Sequence, residues 1–339
     1  MDNALNRMKI VIDSGIPFIQ GVFESFAEVL YIKGQEFTRE DVCDADAIVI
    51  RTRTHCDSAL LEGSKVRLIV TATIGTDHID LDYCREHGII VKNAAGCNVR
   101  GVLQWVSAVL AQITANRAVT PQELTLGIVG VGNVGSLVWE YAREWGFRTI
   151  CCDPPREERE HLGFAPIEEI FAKADIVTLH TPLAPDTFHL VDDGLLSSWK
   201  ESDKILINAS RGEVVATEAL LRSGVECAID VWEGEPDIDH RLLKKAFVAT
   251  PHIAGYSLQG KANATAMAVA AVANHFGLPL REWYPAQISP STPQPISWEE
   301  LCRRMPTHYD INADSQLLKA HPEQFEALRN GYDYRAEFF

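Results

Sequence analysis

Three polar side chains stand just beyond three apolar runs of strand length. Lys204-Ile205-Leu206-Ile207-Asn208-Ala209 leads into Ser210-Arg211-Gly212, Glu226-Cys227-Ala228-Ile229-Asp230 leads toward Glu233-Gly234-Glu235-Pro236, and Phe247-Val248-Ala249-Thr250 leads into Pro251-His252. An imidazole titrates near neutrality and can take up a proton during a reaction. A carboxylate bonded to its other ring nitrogen fixes the tautomer and stabilises the imidazolium that forms. A guanidinium offers a planar, permanently charged fork that holds a carboxylate. His252, Glu235 and Arg211 are therefore a candidate catalytic set. The alternative is an ordinary ion-pair network at strand ends.

The elements that carry them set whether they meet. Short apolar runs at 10–12, 47–50, 68–71 and 89–91 alternate with helix-like segments, and the alternation resumes from Leu124 to about Thr250. That pattern implies βαβ units and mainly parallel sheets. In a parallel sheet the three groups emerge at one carboxyl edge, where open α/β folds bind ligands. A helix over 99–114 joins two such units, and the alanine-rich stretch 257–276 reads as a final packed helix. Pro279, Pro285, Pro290, Pro293 and Pro295 then mark a linker. Beyond it, 298–304 and 323–330 read as amphipathic helices, and 332–339 is rich in aromatic residues. So short a segment does not bury those aromatics alone, which favours a dimer-forming appendage; packing onto its own subunit is the alternative.

A second site lies upstream. The apolar run Leu126-Gly127-Ile128-Val129 enters Gly130-Val131-Gly132-Asn133-Val134-Gly135 and then a helix over 136–145. Glycines there permit a tight turn and close approach of backbone to a pyrophosphate, and the helix amino terminus favours negative charge. The next strand, 148–152, ends at Asp153, at the distance expected for a carboxylate that bonds ribose hydroxyls and repels a ribose phosphate, so NAD is favoured over NADP. A turn residue before Pro154-Pro155 is the other reading of Asp153. Thr181, at the end of the run 175–179, is either a cofactor contact or part of a Thr-Pro turn, and His180 beside it reads as structural. Asp230 is either a partner for the nicotinamide amide or an ordinary strand-end aspartate.

Composition narrows the class. The 339 residues carry a formal charge of −16 and no long basic block, which argues against nucleic acid or an anionic membrane as partner. The eight cysteines form no CxxC pair, so reduced thiols of a cytoplasmic protein are expected rather than a disulfide frame or a metal site. Met8-Lys9-Ile10-Val11-Ile12-Asp13 reads as a first strand after a short polar leader rather than as a signal peptide. The small apolar stretch 264–273 is far too short to span a membrane.

Taken together, these motifs resemble those of the D-2-hydroxyacid dehydrogenases, and within that family they are most similar to its erythronate-4-phosphate dehydrogenase branch. The broad resemblance rests on Gly130 to Gly135, His180-Thr181-Pro182, Asn208 to Gly212, Asp230-Val231-Trp232 and Pro251-His252. The narrower one rests on Thr71-Ala72-Thr73-Ile74-Gly75-Thr76-Asp77-His78, Gly96-Cys97-Asn98, Cys152-Asp153-Pro154-Pro155, Trp232 to Pro236, Pro251 to Gly260 and the tail after the linker. Gln104 and Ala216 depart from the pattern, where glutamate and aspartate are usual. The resemblance implies a Rossmann-type doubly wound parallel sheet that binds NAD, a flavodoxin-like α/β substrate domain split around it with the active site in the cleft, and a small C-terminal dimerisation segment of a homodimer. The expected boundaries are 1–97, 98–280 and 281–339. It carries substrate contacts onto Thr52, Thr73 and Tyr256, and cofactor contacts onto Asp153, Asp230 and Gly255.

The implied activity is NAD-dependent oxidation of 4-phospho-D-erythronate at its 2-hydroxyl, in vitamin B6 synthesis. His252 would take the hydroxyl proton, Glu235 would orient it, and Arg211 would hold the substrate carboxylate. For the phosphate, Arg51-Thr52-Arg53-Thr54 offers cationic and hydroxyl donors after the run 47–50, with solvated surface charge the alternative for Arg51 and Arg53. Arg329 or Arg335 of a partner subunit is a further candidate. The same chemistry on 3-phosphoglycerate or glycerate, and an NAD-sensing binding protein, are the competing readings.

Overall fold

The computed structural model describes residues 7–199 and 203–339, so most of the polar leader lies outside the described residues. The strands are β1 (Lys9–Asp13), β2 (Glu28–Ile32), β3 (Ala47–Ile50), β4 (Leu68–Thr71), β5 (Ile90–Asn93), β6 (Thr125–Val129), β7 (Arg148–Cys152), β8 (Ile176–Leu179), β9 (Ile205–Asn208), β10 (Glu226–Ile229) and β11 (Val248–Ala249). They form a five-stranded sheet in the order β2-β1-β3-β4-β5 and a six-stranded sheet in the order β11-β10-β9-β8-β6-β7. Every pairing is parallel. The first order is flavodoxin-like; the second is doubly wound and reverses at β6, which has β7 on one side and β8 on the other.

The chain divides into two compact units, one running to Asn98 and including Leu258–Ser291, the other holding Val99–Ser257 and Thr292–Phe339. This differs from the expected boundaries. The helix Leu258–Phe276 joins the first unit because Ala268, Val269 and Val272 pack with Ile10, Ile12, Val49 and Val70 on one face of the sheet. Val11, Ile48, Ile50 and Ile69 point to the opposite face, the period of two that a strand imposes. The sequence reading missed β2 because this edge strand is exposed or half-buried and so lacks the solid apolar run of a strand covered on both faces.

In the second unit, Leu126, Ile128, Ile207, Ala228 and Val248 share a core with Trp105, Val106 and Val109 of the helix Val99–Arg117. Val129, Val177, Leu206, Ile229 and Ala249 build the core on the other face. The helix Asn133–Trp145 follows the glycine loop and buries Gly135, Val138, Tyr141, Ala142 and Trp145, the i, i+3, i+4, i+7 stripe of an amphipathic helix. It stops at Gly146, whose φ of 97° suits a residue without Cβ. Trp145 also donates from Nε1 to the Ile296 carbonyl at 3.0 Å, and truncating so buried an indole costs about 3–5 kcal/mol.

The aromatic tail is partly covered by its own chain: Phe339 is buried, and Tyr332, Tyr334 and Phe338 are half-buried. Phe339 packs against Tyr141 and Trp145, and Phe338 stacks on His308 beneath Arg304. The tail has no core of its own, but Trp145, Phe147 and Trp298 supply an apolar strip for it. Of the tail aromatics, Phe339 is thus accounted for by packing within its own subunit. The tail also contains a helix, Ile311–Ala320, that the sequence reading left out. Among the described residues no helix is long and apolar enough to cross a membrane, and the cysteines form no disulfide.

Candidate active site

β9, β10 and β11 lie side by side with Asn208, Ile229 and Ala249 in register, so the loops after them open on one edge. Asn208, buried at the end of β9, shapes the first loop. Its Oδ1 accepts from the Ser210 N–H at 3.1 Å and the Ser210 hydroxyl at 2.9 Å, and its Nδ2 donates to the Arg211 carbonyl at 2.9 Å. Arg211 Nη1 donates to the Ser210 carbonyl at 2.8 Å. A Cβ on Gly212 would lie 2.0 Å from the Trp232 carbonyl carbon and 2.2 Å from the Glu233 nitrogen. Glycine thus lets the Arg211 turn press directly against the chain leading to Glu235.

Glu235 meets His252 across β10 and β11. Its Oε2 lies 2.8 Å from His252 Nδ1, and its Oε1 accepts from the Trp232 N–H at 2.8 Å. Arg329, from the helix Phe325–Asn330, stands 3.6 Å from the same Oε2 and donates through Nε to the Tyr256 hydroxyl at 3.3 Å. Burial pushes the Glu235 carboxyl up, but the charge and hydrogen bond of His252, with Arg329 and the Trp232 N–H, outweigh it and hold the group below its ordinary value. An ionised carboxylate only accepts, so Nδ1 carries the ring hydrogen and Nε2 is left as the proton acceptor. The joint geometry that the sequence required of Glu235 and His252 is present.

The His252 backbone is held in the left-handed region at φ 57°, which costs a residue with a Cβ about 1–2 kcal/mol. A buried network keeps it there. The Asp230 carbonyl accepts from the His252 N–H at 2.7 Å. The Asp230 carboxylate, 1% exposed, accepts from the Thr250 hydroxyl at 2.6 Å, the Ile253 N–H at 2.8 Å and the Ala254 N–H at 2.9 Å. Burial raises this carboxyl above its ordinary value against those bonds and the charge of His252. Trp105 Nε1 donates to Thr250 Oγ1 at 3.0 Å, and Trp232 Nε1 donates to the Thr250 carbonyl at 2.9 Å. Asp230 thus helps hold the loop that presents His252, and neither tryptophan was legible as its support.

The glycine loop sits at the β6 switch point. A Cβ on Gly130, at φ 84°, would meet the His180 carbonyl at 2.7 Å, and one on Gly135 would meet the Gly130 oxygen at 1.9 Å. Those two glycines let the turn, the neighbouring strand end and the helix pack closely, which sets the shape of the loop. A Cβ on Gly132, which precedes the helix opened by Asn133 and Val134, would meet nothing within 4 Å among the described residues. The opening beside Gly132, the helix amino terminus and the buried Thr181 hydroxyl, which has no hydrogen-bond partner among the described residues, fit a dinucleotide phosphate group. Asp153 Oδ2 accepts from the Val131 N–H at 2.8 Å and Oδ1 from the Arg156 N–H at 3.0 Å, so the carboxylate braces the loop and caps the helix Pro154–Glu160. His180 bonds Thr178 Oγ1 through Nε2 at 3.0 Å and is driven down to about 3 by burial, as suits a structural imidazole.

Tyr256 and Gly255 follow His252 on its loop, and a Cβ on Gly101 would come within 3.2 Å of the Gly255 carbonyl. In the first unit, Thr52 is exposed after β3, and Thr73 after β4 bonds the Thr71 hydroxyl at 2.6 Å. Arg51 donates through Nε to the buried Asp13 at 2.9 Å. It is neither simple surface charge nor a cation held wholly for a ligand. Arg335 is no outward-facing phosphate ligand: it is 7% exposed and bonded to backbone carbonyls of the His252 loop.

Residues 99–254 match the family model for the D-isomer specific 2-hydroxyacid dehydrogenase NAD binding domain. The chain is 46% identical to the erythronate-4-phosphate dehydrogenase of Bacteroides fragilis over 97% of each chain. It is 37% identical to that of Porphyromonas gingivalis over 97% of this chain and 94% of the relative. The chain belongs to the erythronate-4-phosphate dehydrogenase family. The NAD+-bound 3-phosphoglycerate dehydrogenase of Entamoeba histolytica shares its fold, with a TM-score of 0.68 and 27% identity over 80% of this chain and 95% of that one. In this erythronate-4-phosphate dehydrogenase family member, the matched NAD-binding span holds Arg211, Glu235, His252 and the whole glycine loop, whereas Tyr256, Arg329 and Arg335 lie beyond it.

Proposed function

We propose that this dehydrogenase oxidises 4-phospho-D-erythronate at its 2-hydroxyl to 2-oxo-3-hydroxy-4-phosphobutanoate, as a step in pyridoxine 5'-phosphate synthesis. The observation that carries the chemistry is the 2.8 Å bond from His252 Nδ1 to Glu235, which leaves Nε2 facing the role of base. NAD, when bound, supplies the acceptor for the hydride that leaves C2. His252 Nε2 takes the 2-hydroxyl proton as the C2–H bond breaks and the carbonyl forms. Glu235 stabilises the imidazolium so produced. Arg211 holds the substrate carboxylate and polarises the developing carbonyl oxygen.

We assign the cofactor to Gly130, Gly132, Asn133, Val134, Gly135, Asp153, Thr181, Asp230 and Gly255, with Asp230 also pinning the loop that carries His252. Substrate contacts are assigned to Thr52, Thr73, Tyr256 and Arg51, the last sharing its charge with Asp13. A cytoplasmic setting is supported by eight cysteines without a disulfide. The homodimer rests on the family resemblance.

A panel of 4-phospho-D-erythronate, 3-phosphoglycerate and glycerate, followed at the NADH absorbance band, tests the reading. Phosphoerythronate should give the highest kcat/KM. Equal or faster turnover of 3-phosphoglycerate refutes the substrate assignment. No NADH from any of the three, despite tight NAD binding, points to a sensing protein.

A further inference from the structure

The loop carrying His252 is held by opposite charges on its two kinds of backbone group. The Asp230 carboxylate takes the N–H groups of Ile253 and Ala254. Arg335, eighty residues later, takes carbonyls of the same loop: Nη1 donates to Ile253 at 3.1 Å and Tyr256 at 3.2 Å, while Nη2 donates to Ala254 and, at 2.9 Å, to Gly101. The guanidinium lies 4.3 Å from the centroid of the buried Tyr309 ring. The strand-like contact between Ser257 and Arg335 and the 2.6 Å bond from the Ser257 hydroxyl to Glu337 fix the tail beside the loop. A guanidinium fork can serve several carbonyls at once; an ammonium, a single point charge, does not reproduce that planar fork.

We propose that Arg335 is a positioning residue for catalysis: it acts through the His252 loop, so the C-terminal tail completes an active site whose reacting groups all lie before it. The proposal rests on His252 being the base. Hydrogen bonds from a buried charged donor are stronger than those between neutral groups. Loss of the set, even if only one bond's worth reaches the geometry of His252, lowers kcat by about tenfold or more.

Arg335→Ala and Arg335→Lys should both fold and bind NAD, with kcat for phosphoerythronate down at least about tenfold. Millimolar guanidinium should restore a substantial part of the activity of Arg335→Ala and none of that of His252→Ala. In the His252→Ala background, adding Arg335→Lys should leave the residual kcat unchanged. Hydrogen exchange at the amides of Ile253 and Ala254 should speed up in Arg335→Lys whatever substrate the enzyme uses, so this readout separates the clamp from the substrate assignment. The proposal is overturned by unchanged exchange and near-wild-type kcat in folded Arg335→Lys, or by an equal fall in kcat with and without His252. If Arg335→Ala does not fold, the Lys variant alone decides.

Discussion

Glu235→Gln is nearly isosteric, yet the structure gives it no satisfactory arrangement. The two carboxylate oxygens serve two different N–H donors, Oε1 the Trp232 amide and Oε2 the His252 ring. A carboxamide has one oxygen. If that oxygen stays with Trp232, its NH2 faces Nδ1, which must then accept, and the ring hydrogen moves to Nε2 where the proton should be received. If the amide flips, Trp232 faces a second donor. In either case the imidazolium loses its counter-charge while Arg329, 3.6 Å from the present Oε2, remains to oppose it. Unit charges about 4 Å apart at an effective dielectric near 20 interact by about 4 kcal/mol, and partial solvent access to His252 and Glu235 trims that to about 3–4. At about 1.4 kcal/mol per decade, kcat should fall about 10²–10³-fold.

The measurement is steady-state NADH formation at saturating NAD and substrate, with folding checked by circular dichroism. KM for NAD should change little, because Glu235 touches none of the glycine loop. A kcat within about threefold of wild type would falsify the assignment of Glu235 as the orienting carboxylate. It would mean that His252 reaches its working tautomer without an ionised partner.

Gly132→Ala should leave Tm within a degree or two, since the added methyl meets nothing within 4 Å, yet weaken NAD at least about tenfold by standing where backbone must approach phosphate; equal NAD affinity in calorimetry would place the cofactor elsewhere. Asp153→Ala should raise KM for NAD several-fold and narrow the preference over NADP, and unchanged kinetics with both cofactors would remove Asp153 from the site. Burial raises the Asp314 carboxyl to about 6 against a hydrogen bond from Tyr332 and the charge of Arg335, while the unfolded chain titrates near the ordinary 3.8. The folded protein therefore holds the extra proton between those values, and stability falls as pH rises through them. Asp314→Asn should raise Tm more at about pH 7.5 than at about pH 4.5, and a gain that is larger at the acid end contradicts the sign.

What could be read in the sequence follows from how each residue was placed. Arg211, Glu235 and His252 each sit within a few residues of a buried strand, and a parallel sheet converts that one-dimensional position into a shared edge without further information. The glycine loop was legible for the same reason: strand, turn and helix are contiguous, so local chemistry fixes local geometry. β2 was not, because an edge strand exposes the side chains whose apolarity would have marked it. Trp105, Asp230 and Arg335 mark the limit more sharply. Their partners lie 145, 20 and up to 234 residues away, and nothing near Arg335 in sequence distinguishes it from a surface cation except the aromatics beside it. Read as a short isolated segment, those aromatics point toward a partner chain. In the fold Phe339 packs against Tyr141 and Trp145 while Tyr332 and Tyr334 meet the Tyr256 ring, and this anchoring brings Arg335 to the His252 loop. The groups proposed to react were readable from strand ends, whereas the groups that hold the loop at φ 57° were not, since they depend on which distant surfaces the finished sheet brings together.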